Sequence, residues 1–364
     1  MNKTTYLSAH KIYSGKRWYE DSTLVIENEM VTAIVPTNSI TNQPTTIYPY
    51  IIPALIDLQI YGAGGQLLSM HPNKEAIQRL YDYCTKGGAH WFQPTVATNS
   101  NQVIRACVDA VSHYQISGGK GCIGLHVEGP WINNTKRGAH LTEFIHVPTI
   151  KEVKELLNYG KGIITMITLA PEICNKAIVD LIHSYGVVVS AGHSDANYDE
   201  AMNAFDVGIK TATHLFNAMS PLQHRAPGMV GAIFNHPSVM CSIVPDGYHV
   251  DFEVIKIAKK QLGNRLFAIT DAVTNTTEGP YPHQLNGDKY EANGILSGSA
   301  LTMLKSVQNL VHKPGIELGE AINMCSLYPA QVMSINHISG IIEPGHAADF
   351  ICLNNDLQLL NIQA

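Results

Sequence analysis

Residues 162–194, GIITMITLAPEICNKAIVDLIHSYGVVVSAGHS, decide the fold. The stretch opens on an apolar run (162–172), passes through a segment with helical period, and returns to a second apolar run (186–194). The helical part ends at Gly186, where a glycine commonly terminates a helix. Both runs are hydrophobic almost without alternation, as strands of a parallel sheet covered on both faces must be. The second run then stops abruptly in Gly192-His193-Ser194, polar residues at the edge of a buried strand.

The same unit recurs in both directions along the chain. Apolar runs at 51–59, 89–98, 121–130, 162–172, 186–194, 210–217, 240–250 and 265–273 are separated by helical patterns. Within 149–160, Thr149 and Glu152 have capping-box spacing, and Ile150, Val153 and Leu157 form an apolar stripe. Eight strand–helix repeats predict an α/β fold of the (β/α)8, TIM-type barrel kind. The first fifty residues read instead as short strands, with Asn28 in a hairpin turn, and the C-terminal stretch 340–354 has the same character. The expected organisation is therefore a small β-sandwich domain built from both termini (1–50 plus 340–364) around the (β/α)8 barrel (51–339).

Composition narrows the function. The chain has 364 residues, 45% hydrophobic and 15% charged, with a formal net charge of -6. That leaves no basic footprint for nucleic acid, although a local pocket in an acidic protein can still receive an anion. The seven cysteines form no CxxC pair, which argues against a disulfide framework or a zinc ribbon. The N-terminus lacks a signal-peptide pattern and no apolar run has membrane-spanning length, so no membrane partner and a cytoplasmic location are expected.

Barrel active sites gather where the strands end at their C-termini. The third run ends in His126-Val-Glu128-Gly-Pro, the fifth in His193, the sixth in His214, the seventh in Asp246-Gly-Tyr-His249 and the eighth in Asp271. Any one of these reads equally well as a structural hydrogen-bonder or a helix cap. Packing alone does not account for so many on one rim. Glu128, His193 and His214 offer one oxygen and two nitrogens, a donor set for catalytic zinc with a position left open, and one that iron or manganese also accepts. Asp271 is the candidate proton acceptor and donor, and His140, in the loop after the third strand, the candidate donor to a carbonyl oxygen. A cysteine-based mechanism is weaker, since none of the seven stands at a catalytic strand end beside a histidine.

GLHVEGPW with RGAH downstream, SAGHSDA, THLFNAM, APGMVGAI, DGYHV, ITDA and GILSGSALTM followed by LYPA run in order through most of the chain. Together they resemble the amidohydrolase superfamily and, within it, the N-acetylglucosamine-6-phosphate deacetylases. The resemblance implies metal ligation by Glu128, His193 and His214, acid–base catalysis by Asp271 and carbonyl polarisation by His140. It implies further that Asn217, Ala218, Arg225 and His249 bind an amino-sugar phosphate, and that the protein is a homodimer whose partner subunit borders the site. Some members of that family carry His-x-His after the first strand and hold two metals, and others carry Gln in the first slot and hold one. Gln59 implies one divalent metal per subunit. Tyr61 departs from the smaller polar residue expected, as Ala54, Ala226 and Pro245 depart at their own motif positions. Other N-acetylhexosamine phosphates, N-acyl amino acids and a non-catalytic sugar-phosphate binder are the competing readings.

Overall fold

A computed structural model describes residues 4–40, 46–292 and 294–360. The positions 1–3, 41–45 and 361–364 of the expected terminal domain lie outside the described residues.

Eight strands form one parallel sheet in sequential order: Leu55–Ile60, Ala89–Ala97, Leu125–Glu128, Ile164–Leu169, Val188–Ala191, Thr211–Ala212, Met240–Ile243 and Leu266–Ala268. All eight coincide with the apolar runs. A parallel bridge between Ile60 and Ala272 brings the last strand back to the first. Asp57 reinforces that seam: its buried carboxylate accepts from Thr270 Oγ1 (2.5 Å) and from the Thr270 N–H (3.1 Å). The result is a (β/α)8 barrel with one continuous apolar core.

The helices start and stop where side-chain chemistry directs them. Thr149 accepts from the Glu152 N–H and opens Ile150–Tyr159. The Glu152 carboxylate does not return to Thr149, as a full capping box requires. It takes hydrogen bonds from Trp131 and His146 instead. Helix Lys176–Ser184 ends with Gly186 at a φ of 75°.

The run 51–59, read as one strand, divides in two. Ile47–Pro53 pairs with Thr4–Tyr13 and with Phe350–Leu353 in a terminal sheet, and only Leu55–Ile60 enters the barrel. The break falls at Ala54, whose N–H goes to the Asp349 carbonyl (3.2 Å). The sandwich expected from the terminal strands is, in its hydrogen bonding, one sheet of six strands. It has a core of its own, including Leu7, Leu24, Ile51 and Phe350. Asn28 and Glu29, at φ of 50° and 62°, make the anticipated hairpin turn. A three-stranded sheet, Gln284–Asn286, Lys289–Ala292 and Ile295–Ser299, follows the eighth barrel strand and has no counterpart in the expected organisation.

Candidate active site

Strand alternation aims every second residue of the third barrel strand inward, so His126 and Glu128 share the barrel interior, each 1% exposed. His193, His214 and Asp271 lie just beyond their strands. All three adopt a left-handed backbone, with φ of 49°, 39° and 54°. That conformation is sterically costly for L-residues and clusters at functional sites. Gly129 is required for a different reason. It sits at φ 79°, and a Cβ there would lie 2.1 Å from Thr98 Oγ1.

These residues meet in a cavity of about 200 Å³ at the barrel mouth. Glu128, His140, His193, His214, Asn217, Ala218, His249 and Asp271 all line it. Arg225 does not. It is exposed, in a turn where Gln223 and Ala226 exchange backbone hydrogen bonds.

Glu128 Oε1 lies 3.4 Å from His193 Nε2 and 3.2 Å from His214 Nε2, and the two nitrogens are 3.1 Å apart. A tetrahedral ion with ligands at about 2.0–2.1 Å separates those ligands by roughly 3.3 Å. The three atoms are therefore spaced as three corners of such a shell. His193 donates Nδ1–H to the Lys136 carbonyl (2.9 Å), which leaves the Nε2 lone pair facing the centre. Burial alone raises the Glu128 carboxyl, but the close approach of His140, His193 and His214 to its two oxygens outweighs it and holds the group well below the usual carboxylate range. An anion and imidazole lone pairs in so small a space suit a cation.

A second grouping, Glu128 with His140 and His193, also has its donor atoms within 4.8 Å of one another. The two groupings share Glu128 and His193 and differ in the third imidazole: His214 Nε2 lies on the same oxygen as His193, Oε1. His140 Nε2 faces the other oxygen, Oε2, at 3.3 Å, and its Nδ1 is engaged by Thr98, 2.7 Å from the hydroxyl. Thr98 in turn gives its carbonyl to Tyr281 OH (2.5 Å), and that hydroxyl receives the Leu141 N–H (3.3 Å). Tyr281 thus ties the His140 loop to the segment after the eighth strand. No sequence motif marks either Thr98 or Tyr281.

Asp271 is held at both oxygens. Gln59 Nε2 lies 2.7 Å from Oδ1, and His249 Nε2 3.4 Å from Oδ2. Burial would raise its carboxyl, but the hydrogen bond and charge of His249 bring it below the ordinary value, so it is ionised at neutral pH. His249 is itself anchored through Nδ1 to Asp246 (2.6 Å). Desolvation works against its charge, yet the two aspartates prevail and push it up to about 9. The GSALTM motif fixes the Asp271 backbone: the Ser299 N–H reaches the Asp271 carbonyl (3.0 Å), and Ser299 Oγ the Thr270 carbonyl (2.5 Å).

Gln59 Nε2 also approaches Glu128 Oε1 (3.1 Å) and Tyr61 OH (2.7 Å), and Tyr61 donates to Glu128 Oε2. Burial pushes the Cys84, Cys107, Cys174, Cys241 and Cys325 thiols up, as befits core side chains rather than nucleophiles. Among the described residues no helix is long and apolar enough to cross a membrane.

The family model described as the amidohydrolase family matches residues 50–363. The N-acetylglucosamine-6-phosphate deacetylase of Haemophilus influenzae is 31% identical over 366 residues, covering 96% of this chain and 95% of that protein. The N-acetylgalactosamine-6-phosphate deacetylase of Escherichia coli O157:H7 is 28% identical over 372 residues, covering 99% and 97%. The crystal structure of N-acetylglucosamine-6-phosphate deacetylase from Pasteurella multocida superposes with a TM-score of 0.91 at 31% identity, covering 98% of this chain and 97% of that one. With barrel, rim residues and a match over nearly its whole length in agreement, the chain belongs to the amidohydrolase family.

Proposed function

We propose that the protein hydrolyses N-acetylglucosamine 6-phosphate to glucosamine 6-phosphate and acetate. One observation carries the reading: Glu128, His193 and His214 are spaced as three corners of a metal shell, and Asp271 and His140 line the same cavity. The near-full-length match to deacetylases of this substrate supports it.

Glu128, His193 and His214 would hold a single divalent cation, for which zinc is the proposal and iron and manganese are compatible. Such an ion, when bound, acidifies water and polarises a carbonyl. The chain's own residues do the rest. Asp271, ionised and fixed at both oxygens, accepts the proton of the attacking water as its oxygen adds to the acetyl carbon. His140 directs Nε2 at the oxygen on which negative charge develops. When the C–N bond breaks, Asp271 returns the proton to the departing amine. His249, cationic because of Asp246 and Asp271, with Asn217 and the Ala218 backbone, receives the sugar phosphate.

Arg225 has no place in this chain's own cavity. In the proposed homodimer it would serve the partner subunit's site, where a guanidinium fork suits a phosphate. The division of labour proposed is a β-domain from residues 1–50 and 340–364 that braces a catalytic barrel. Seven free thiols suit a reducing cytoplasm.

Similarity over 99% of the chain to an N-acetylgalactosamine-6-phosphate deacetylase supports the epimer as a second substrate reading. Acetate release from the two hexosamine phosphates and from free N-acetylglucosamine distinguishes them. The gluco-phosphate is expected to give the highest kcat/KM and the free sugar the lowest. Preference for the galacto-phosphate would replace the substrate while keeping the chemistry.

A further inference from the structure

The proposed catalytic roles give Tyr61 no part, although it sits against Glu128. Its backbone is fixed on both sides: its N–H goes to the Ala272 carbonyl (2.9 Å) and its carbonyl receives the Leu68 N–H (2.9 Å). Its ring packs against the cluster of Leu67, Val273 and Tyr281. So held, the hydroxyl accepts from Gln59 Nε2 (2.7 Å) and has its one proton left for Glu128 Oε2. The two oxygens of Glu128 are consequently sorted. Oε2 faces Tyr61 OH and His140 Nε2, and Oε1 faces the two imidazole nitrogens with Gln59 Nε2 3.1 Å away.

We propose that Tyr61 is a positioning residue for Glu128: its phenol O–H occupies Oε2 and leaves Oε1 as the one oxygen offered to a cation beside His193 and His214. A carboxylate free at both oxygens can bind an ion through both and so fill a second coordination position. With Oε2 occupied, Glu128 takes one corner, and the position that substrate or water needs stays open. The inference rests on the ligand set proposed above. It differs from a packing role for the ring, since it assigns the effect to the hydroxyl alone.

The test compares the full-length wild type with Tyr61→Phe and Glu128→Gln, each loaded with cobalt(II). The visible bands of that ion weaken several-fold when coordination rises above about four. Tyr61→Phe keeps the ring. It is expected to bind as much cobalt as the wild type with clearly weakened bands, and to lose about tenfold in kcat with little change in KM, the loss of one hydrogen bond to a charged group. A Phe variant with wild-type bands and wild-type kcat overturns the proposal, whatever its melting temperature does. Glu128→Gln is expected to lose cobalt. If it keeps cobalt with the wild-type spectrum, the ligand assignment itself is wrong, a failure distinct from that of Tyr61.

Discussion

His193, His214 and Asp271 are aimed by backbone strain. Each sits just past a strand in the left-handed region, at a cost of about 1–2 kcal/mol apiece. Asp271 then has both oxygens occupied before substrate arrives. Asp271→Asn keeps that shape and removes the base, so kcat should fall by roughly 10²–10⁴-fold while metal content, measured by elemental analysis, stays that of the wild type. His249 carries the second residue-scale prediction. Asp246 and Asp271 push its pKa up to about 9, so a phosphate held there as proposed would meet a cation below that pH and a neutral ring above it. KM for the sugar phosphate should therefore rise as pH climbs through about 9, and His249→Asn should raise KM at neutral pH and flatten that limb. A wild-type KM that stays level as pH passes through that value would remove His249 from phosphate binding.

At the scale of elements, one aspartate joins the terminal sheet to the barrel. Asp349 precedes the strand Phe350–Leu353 and takes hydrogen bonds from His90 (2.7 Å), Trp91 (2.8 Å) and Ser339 (2.5 Å). His90 and Trp91 belong to the second barrel strand. Asp349→Ala leaves three donors without their acceptor and should cost about 3 kcal/mol, read from urea denaturation. The barrel strands were legible because burial on both faces removes polar residues from long runs, and few elements besides a strand covered on both sides produce such a run between helices. The same rule blurred the first boundary. Ile51–Pro53 is as apolar as Leu55–Ile60, yet it belongs to a different sheet. The rim residues were legible because strand ends are fixed in sequence. The supports were not. Thr98, directly after the second barrel strand, acts through its hydroxyl and carbonyl, and Tyr281 acts through one hydroxyl on a loop without periodicity; only folding brings them beside His140.

For the molecule as a whole, the polar chemistry extends below the cavity into the barrel. His126 Nε2 meets Thr168 (2.7 Å), Thr168 meets Thr213 (2.8 Å), and Thr213 meets Ser190 (2.6 Å), a buried polar layer in the barrel interior. Burial lowers the His126 pKa to about 4. Its contribution to stability is complete above the unfolded value of about 6.5 and is lost as pH falls from there toward 4, because the unfolded chain takes up a proton that the fold refuses. The loss is on the order of 3 kcal/mol, and His126→Gln should flatten that part of the melting-temperature profile. A bound cation acts in the other direction: zinc at about a hundred times its dissociation constant should stabilise the fold by roughly 2.7 kcal/mol, an increment absent in Glu128→Gln. In the proposed mechanism, one cation and the Asp271 carboxylate together make this barrel a deacetylase. The most direct test is one sample, purified without chelator, in which metal per chain and acetate release from N-acetylglucosamine 6-phosphate are both measured. About one metal per chain with turnover that a chelator abolishes is the predicted result. Undiminished turnover in metal-free protein, or a full complement of metal without turnover, would contradict it.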